Sequence, residues 1–252
     1  MKSIVKLYTA EMRKKYGEVY AAWKPGTHYE LGDYGTLDGC IFTSLGNVKQ
    51  LGLDFGVILD PSPTNENYKS SGVSATKIAA NGEAVASGGV NVATGFNIEF
   101  SNESSVFYEA LNVYTNRIAD IAKLGLDILN MYESDLPGAN GVKWQKDYVV
   151  ITELDTADSA TIIISNSKNA KIELHASANI GTANLNIADP KLGWSSTFDI
   201  GLESKTIANA GATPLFKLRG IRKKLFETKK MVCSHSADRE VLEFVDIVDM
   251  SE

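Results

Sequence analysis

Residues 84–100 alternate with period two. Even positions carry Ala84, Ala86, Gly88, Val90, Val92, Thr94, Phe96, Ile98 and Phe100, while odd positions carry Glu83, Ser87, Asn91, Asn97 and Glu99. Such alternation gives a β-strand with one apolar and one polar face. The run is long beside ordinary strands of about 5–6 residues. A weaker alternating strand covers 72–80, and Asn81-Gly82 between the two runs is a strong hairpin signal. The sequence therefore predicts a long amphipathic hairpin over 72–100, rich in small residues. Two readings stay open. It is a curved sheet of a globular domain, bent at Gly88-Gly89, or a hairpin able to cross a bilayer, which takes about 9–11 alternating residues per strand.

Other periods place the remaining elements. Residues 2–16 have a helical apolar stripe, Ile4, Val5, Leu7, Tyr8 and Met12, flanked by Lys2, Lys6, Arg13, Lys14 and Lys15. A basic amphipathic helix suits an anionic membrane surface as well as a sheet. Glycines and Pro25 punctuate 23–39, a short strand and a tight turn at Gly46-Asn47 follow, and "DPSPTNENYKSS" reads as a loop. "VFYEALNVY" reads as a strand and 117–132 as the best helix of the chain, ended by Pro137 and nearby glycines. Further strands are expected in "DYVVITEL" and "SATIIIS", joined through "DTADS" as a hairpin connection, then in "AKIELHASA", "TANLNIA", "WSSTFDIGLES" and "ATPLFKLRGI". The fold class expected is α+β, one large, twisted, mainly antiparallel sheet with a few helices and no boundary before about residue 222.

Charge adds one feature. Basic residues Arg219, Arg222, Lys223, Lys224, Lys229 and Lys230 precede acidic Asp238, Glu240, Glu243, Asp246, Asp249 and Glu252. Within the acidic part lies an apolar set containing Leu242, Phe244, Val245 and Ile247, so this segment suits docking on a basic, apolar surface. An ordinary terminal element fits the same pattern. The net charge of −6 argues against nucleic acid as a partner. Cys40 and Cys233 form neither a disulfide framework nor a CxxC pair, which suits a reducing cytoplasm. No signal peptide and no apolar run of helix-spanning length is read from the sequence.

Candidate chemistry is sparse. His28, His175 and His235 stand beside no nucleophile motif, Cys233 with His235 supplies too few ligands for a metal, and no glycine-rich phosphate loop opens a helix. The expectation is a protein that is not an enzyme, with no catalytic residue, no metal and no cofactor.

The element order resembles the pore-forming N-terminal domain of the gasdermin family. The resemblance is carried by Val149, Val150, Ile151, Thr152, Glu153 and Leu154 in a "VVTE"-like strand, and by Thr206, Ile207, Gly211, Leu215 and Phe216 in a closing strand, over roughly residues 2–221. The length is similar to bacterial members, in which a short C-terminal peptide holds the pore former inactive. The resemblance implies a pore-forming body over 1–230 and an inhibitory segment over 231–252, with Leu242, Phe244, Val245 and Ile247 as its apolar contacts. It implies a cytoplasmic inactive form, an activating protease, then a membrane-bound homo-oligomeric β-barrel that causes cell death in antiphage defence. Candidate lipid contacts are Lys2, Lys6, Arg13, Lys14, Lys15, Arg222, Lys223 and Lys224. Candidate membrane-hairpin residues are Val90, Val92, Phe96, Ile98, Phe100, Ile162 and Ile164, in two regions, 72–100 with 106–114 and 160–202. Two features differ from the family pattern: the first cysteine is Cys40, and "VNVATGFNIEF" contains none. The alternative reading is a soluble α+β binding or scaffold protein whose hairpin is only a sheet.

Overall fold

The computed structural model describes residues 2–22, 27–79, 94–177, 185–223 and 242–247. Helices α1 Lys2–Tyr16 and α2 Ile121–Ser134 accompany strands β1 Tyr20–Ala21, β2 Asp33–Asp38, β3 Ile41–Asn47, β4 Val57–Ile58, β5 Thr64–Lys69, β6 Val73–Ile78 and β7 Gly95–Phe100. The strands continue as β8 Ser105–Ile118, β9 Tyr148–Ser165, β10 Ala170–Ala176, β11 Trp194–Ile200, β12 Leu202–Ala212, β13 Leu215–Lys223 and β14 Leu242–Asp246. The fold is α+β with mainly antiparallel pairing. It divides into two compact units: Met1–His28 with Asp60–Thr115 and Asp155–Leu215, and Tyr29–Leu59 with Asn116–Leu154 and Phe216–Glu252.

In the first unit β5, β8, β9 and β12 lie side by side, and a separate four-stranded sheet runs β6-β7-β10-β11. Alternation decides which core each side chain enters. Val106, Tyr108 and Ala110 of β8, with Ala160, Ile162 and Ile164 of β9, face Ile4, Tyr8 and Met12 of α1. From the opposite face Phe107 and Ile163 meet Phe96, Ile98, Phe100, Ile172 and Leu174 of the four-stranded sheet. Both faces of this part of β9 are therefore covered, and residues 160–165 are all buried. That is why Ile162, Ile163 and Ile164 follow one another without alternating with exposed polar residues.

In the second unit the order is β3-β2-β9-β13-β14. Helix α2 lays Leu124 and Ile128 into a core with Tyr34, Val48, Leu51, Ile118, Trp144, Val150 and Ile221.

Several expectations need correction. "DYVVITEL" and "SATIIIS" are one strand, β9, and "DTADS" continues it. Its carboxylates are satisfied by β8: Thr115 Oγ1 donates to Asp155 Oδ1 at 2.7 Å and Asn112 Nδ2 to Asp158 Oδ2 at 2.7 Å. The expected loop 60–71 contains β5, paired with β8, with the Asn112 N–H donating to Asn65 Oδ1 at 3.0 Å. Helix α2 starts at Ile121, not at Arg117, because Asp120 caps it by accepting the Lys123 N–H at 2.8 Å while Arg117 and Ile118 finish β8. "WSSTFDIGLES" is two strands, broken where Gly201 adopts φ +71°. The described part of "TANLNIA", residues 185–188, is a turn whose Leu185 and Ile187 still enter the core. Gly46-Asn47 ends β3, and Asn47 caps a 3-10 turn over Val48–Leu51 in place of a hairpin turn.

Candidate functional site

The charge-segregated tail supplies a strand. Leu242–Asp246 forms β14, antiparallel to β13, with Arg219 opposite Asp246, Ile221 opposite Phe244 and Arg222 opposite Glu243. The ladder extends one residue further, since the Ile247 N–H donates to the Leu218 carbonyl at 2.9 Å. Alternation sends Leu242 and Phe244 against the core beneath α2, and Ile247 is buried. Arg219 grips Asp246 with both ends of its fork, Nε to Oδ1 at 2.8 Å and Nη2 to Oδ2 at 2.7 Å. The geometry is bidentate, but both partners are partly exposed, so the pair is worth about 0.2–1 kcal/mol. The tail residues Leu242, Phe244, Val245 and Ile247 thus lie together on one edge of the second unit. The remainder of the expected 231–252 segment, with the stretch in which a cut was expected, lies outside the described residues.

Sequence reading missed what receives this strand. Helix α2 carries Gly125 beneath the Phe244 ring, where an added Cβ would stand 2.7, 3.0 and 3.1 Å from Phe244 Cδ1, Cγ and Cβ. A glycine inside an otherwise apolar helical period was the available signal.

The hairpin residues divide between two cores. Strands β6 and β7 pair antiparallel as expected, but from Val73 opposite Phe100 to Ile78 opposite Gly95. A tight turn at Asn81-Gly82 would have set Ile78 opposite Val85, so the expected register is corrected; Val90 and Val92 lie outside the described residues. Phe96, Ile98 and Phe100 are buried on one face, and β7 pairs with β10 so that Ile98 lies opposite Ile172 and Phe96 opposite Leu174. Ile162 and Ile164 belong to the other core, under α1. The two sets are not brought together. Residues 106–114 of β8 pair with β5 rather than with β7.

Three basic residues near the end of α1 have partners in this form. Arg13 Nε donates to the Val19 carbonyl at 2.8 Å and its guanidinium lies 4.5 Å from the Tyr20 ring centre. Lys14 pairs with Glu11, and Lys15 donates to Glu66 at 3.2 Å and to the Asn67 carbonyl at 2.6 Å. Lys6 is exposed, as is Arg222; Lys2 opens α1, Lys223 ends β13, and Lys224 lies outside the described residues.

Two carboxylates clamp α1 onto β5. The Tyr68 hydroxyl donates to Glu11 Oε2 at 2.7 Å, and the Tyr16 hydroxyl donates to Glu66 Oε2 at 3.0 Å. Burial, then the Glu11 contact, pushes the Tyr68 hydroxyl up to about 12. Burial alone would raise the Glu66 carboxyl, but hydrogen bonds from Lys15, Thr64 and Tyr16 outweigh it and hold the group below its usual range.

Among the described residues no cluster of His, Cys, Asp and Glu could hold a metal ion, and no helix is long and apolar enough to cross a membrane.

No family model and no curated protein matches the sequence. Two solved structures are similar along nearly the whole chain. One is a bacterial gasdermin from Bradyrhizobium tropiciagri, at 12% identity over 97% of this chain and 90% of that one, with a TM-score of 0.34. The other is the gasdermin A3 membrane pore, at 12% identity over 99% of this chain and 96% of that one, with a TM-score of 0.39. Both superpositions are loose.

Proposed function

We propose that this chain is an autoinhibited pore-forming protein, silenced by its tail until a protease cuts between β13 and β14. The observation that carries the reading is β14: a short, half-buried edge strand, held by one five-residue ladder and one exposed ion pair. The element order that resembles gasdermins in sequence supports it too. In this proposal residues 1–230 are the pore-forming body and 231–252 the removable segment.

Release uncovers the β13 edge and the apolar patch under α2. The strands of 72–114 and 160–202 then leave their two cores and join into membrane hairpins. Side chains such as Phe96, Ile98 and Phe100 exchange a protein core for lipid, and the polar faces line water. Strand edges cannot remain unpaired in hydrocarbon, so several copies must close a barrel. Anionic lipid draws in the basic set, each residue contributing about 1 kcal/mol near the surface. Arg13 and Lys15 become available when α1 leaves Val19, Tyr20, Glu66 and Asn67, whereas Lys14 pairs within the helix with Glu11 and is already largely exposed. Activation thus moves the protein from cytoplasm to membrane, kills the cell, and serves antiphage defence.

The test is dye release from anionic liposomes. Full-length protein carrying a specific protease site within 224–241 is expected to leave vesicles intact until it is cut. Cut protein that stays folded and monomeric beside intact vesicles would sink the proposal and favour a scaffold.

A further inference from the structure

We infer that the β13 edge and the Gly125 notch of α2 form a binding site for a specific class of extended peptide, whose present occupant is the chain's own tail. The inference deepens the tail reading and rests on it for its consequence, pore control; the binding chemistry itself needs no membrane.

Main-chain pairing along a sheet edge supplies affinity without sequence preference, and pockets for alternate side chains supply selectivity. Here β14 pairs through Leu242–Asp246 and the Ile247 N–H adds to the ladder. Three features choose among sequences. The first is the notch. Glycine inside a helix costs about 1 kcal/mol relative to alanine, yet α2 places Gly125 at a buried position in its middle. The closest atoms to an added Cβ include Phe244 Cβ and Cγ, the root of the side chain. Rotating the ring about χ1 moves Cδ1 but leaves Cβ where it is, so the notch is shaped for a side chain entering at that register. The second is the Arg219 fork, which takes a carboxylate two residues after the aromatic. The third is the buried seat of Ile247, whose Cδ1 lies 3.3 Å from a Cβ built on Gly220. The ligand class is therefore an extended peptide with an aromatic residue, an acidic residue two places on and a branched aliphatic residue next.

While the chain is continuous this ligand is intramolecular, at an effective concentration in the millimolar range for a short linker. A cut turns it into a bimolecular ligand, so occupancy then follows dilution and competition. Cutting permits release, and peptide concentration sets it.

The experiment uses the full chain with a protease site replacing 233–238, nicked while folded, and a fluorescein-labelled synthetic peptide of residues 239–250, without vesicles. Labelled peptide is expected to exchange saturably into the nicked protein, to be competed by unlabelled parent peptide, and to resist competition by F244A peptide at tenfold higher concentration. Nicked Gly125→Ala is expected to bind the parent peptide at least tenfold more weakly. In the uncut chain, Gly125→Ala should speed amide exchange at 244–247 while slowing it within α2, since alanine favours the helix. A purely structural glycine would slow neither or speed both. Failure to take up labelled peptide, equal competition by F244A peptide, or unchanged exchange at 244–247 in Gly125→Ala overturns the inference. Peptide exchange with silent liposomes would leave this site standing and remove the pore; leakage without peptide exchange would do the reverse.

Discussion

Strands β9 and β14 show two ways of belonging to a sheet. In β9 residues 160–165 are buried on both faces, between the α1 core and the core of the four-stranded sheet. Leu242–Asp246 is half-exposed, pairs on one edge, and enters the core through Leu242 and Phe244. The difference separates a strand held between two cores from one held along a single edge. A segment able to act as a removable inhibitor must be specific in register and shallow in burial, and β14 is both.

The comparison breaks most visibly in β9. Ile163→Ala should cost about 2–5 kcal/mol, the range for truncating a buried aliphatic side chain; chemical denaturation measures it, and a loss below 1 kcal/mol would mean that the second covering layer is not there. Phe244→Ala should lower global stability less, by about 1–2 kcal/mol for a half-buried ring. Its larger signature is local: proteolysis within 224–241 and amide exchange at 243–247 should both accelerate while the first unit keeps its protection. Uniform acceleration would show that the tail is an integral strand.

How much of this was legible depended on which layers cover each strand. Phe96, Ile98 and Phe100 announced their buried face because β7 is covered on one side and open at Asn97 and Glu99. Strand β9 concealed itself: Asp155 and Asp158 look like turn residues until Thr115 and Asn112 of β8 are beside them. Strand β5 looked like a loop for the same reason, since Glu66 and Tyr68 acquire partners only when α1 is laid over them. At the candidate site the tail's apolar and acidic residues were readable in order. Gly125 stood out only as a glycine inside a helical period; that it makes room for an aromatic ring shows only where Phe244 packs against it.

The α1 clamp sharpens the comparison with a smaller effect. The raised Tyr68 hydroxyl contributes stability that is fully present below about pH 10 and lost as pH rises toward about 12. The depressed Glu66 carboxyl contributes stability present above about pH 4.5 and lost as pH falls through its lower folded value. Exchange in α1 should therefore accelerate at both ends, and Tyr68→Phe should remove the alkaline part at a cost of about 1 kcal/mol; an unchanged alkaline limb would take Tyr68 out of the clamp. Smallest of all, Asp246→Asn should weaken tail docking by about 0.2–1 kcal/mol, less so in high salt. A salt-independent loss would show that the pair is not acting as a surface ion pair.

The most direct test locks the tail. Arg219 and Asp246 face each other across the ladder, so Arg219→Cys with Asp246→Cys, in a Cys233→Ser background, places two thiols where a cross-strand disulfide can close. The oxidised protein, cut within 224–241 and mixed with anionic liposomes, is expected to release no dye until a reductant is added, then to leak like cut parent. Leakage while the disulfide is intact would show that tail release is not the trigger, and silence after reduction, with cut parent silent as well, would show that the chain makes no pore.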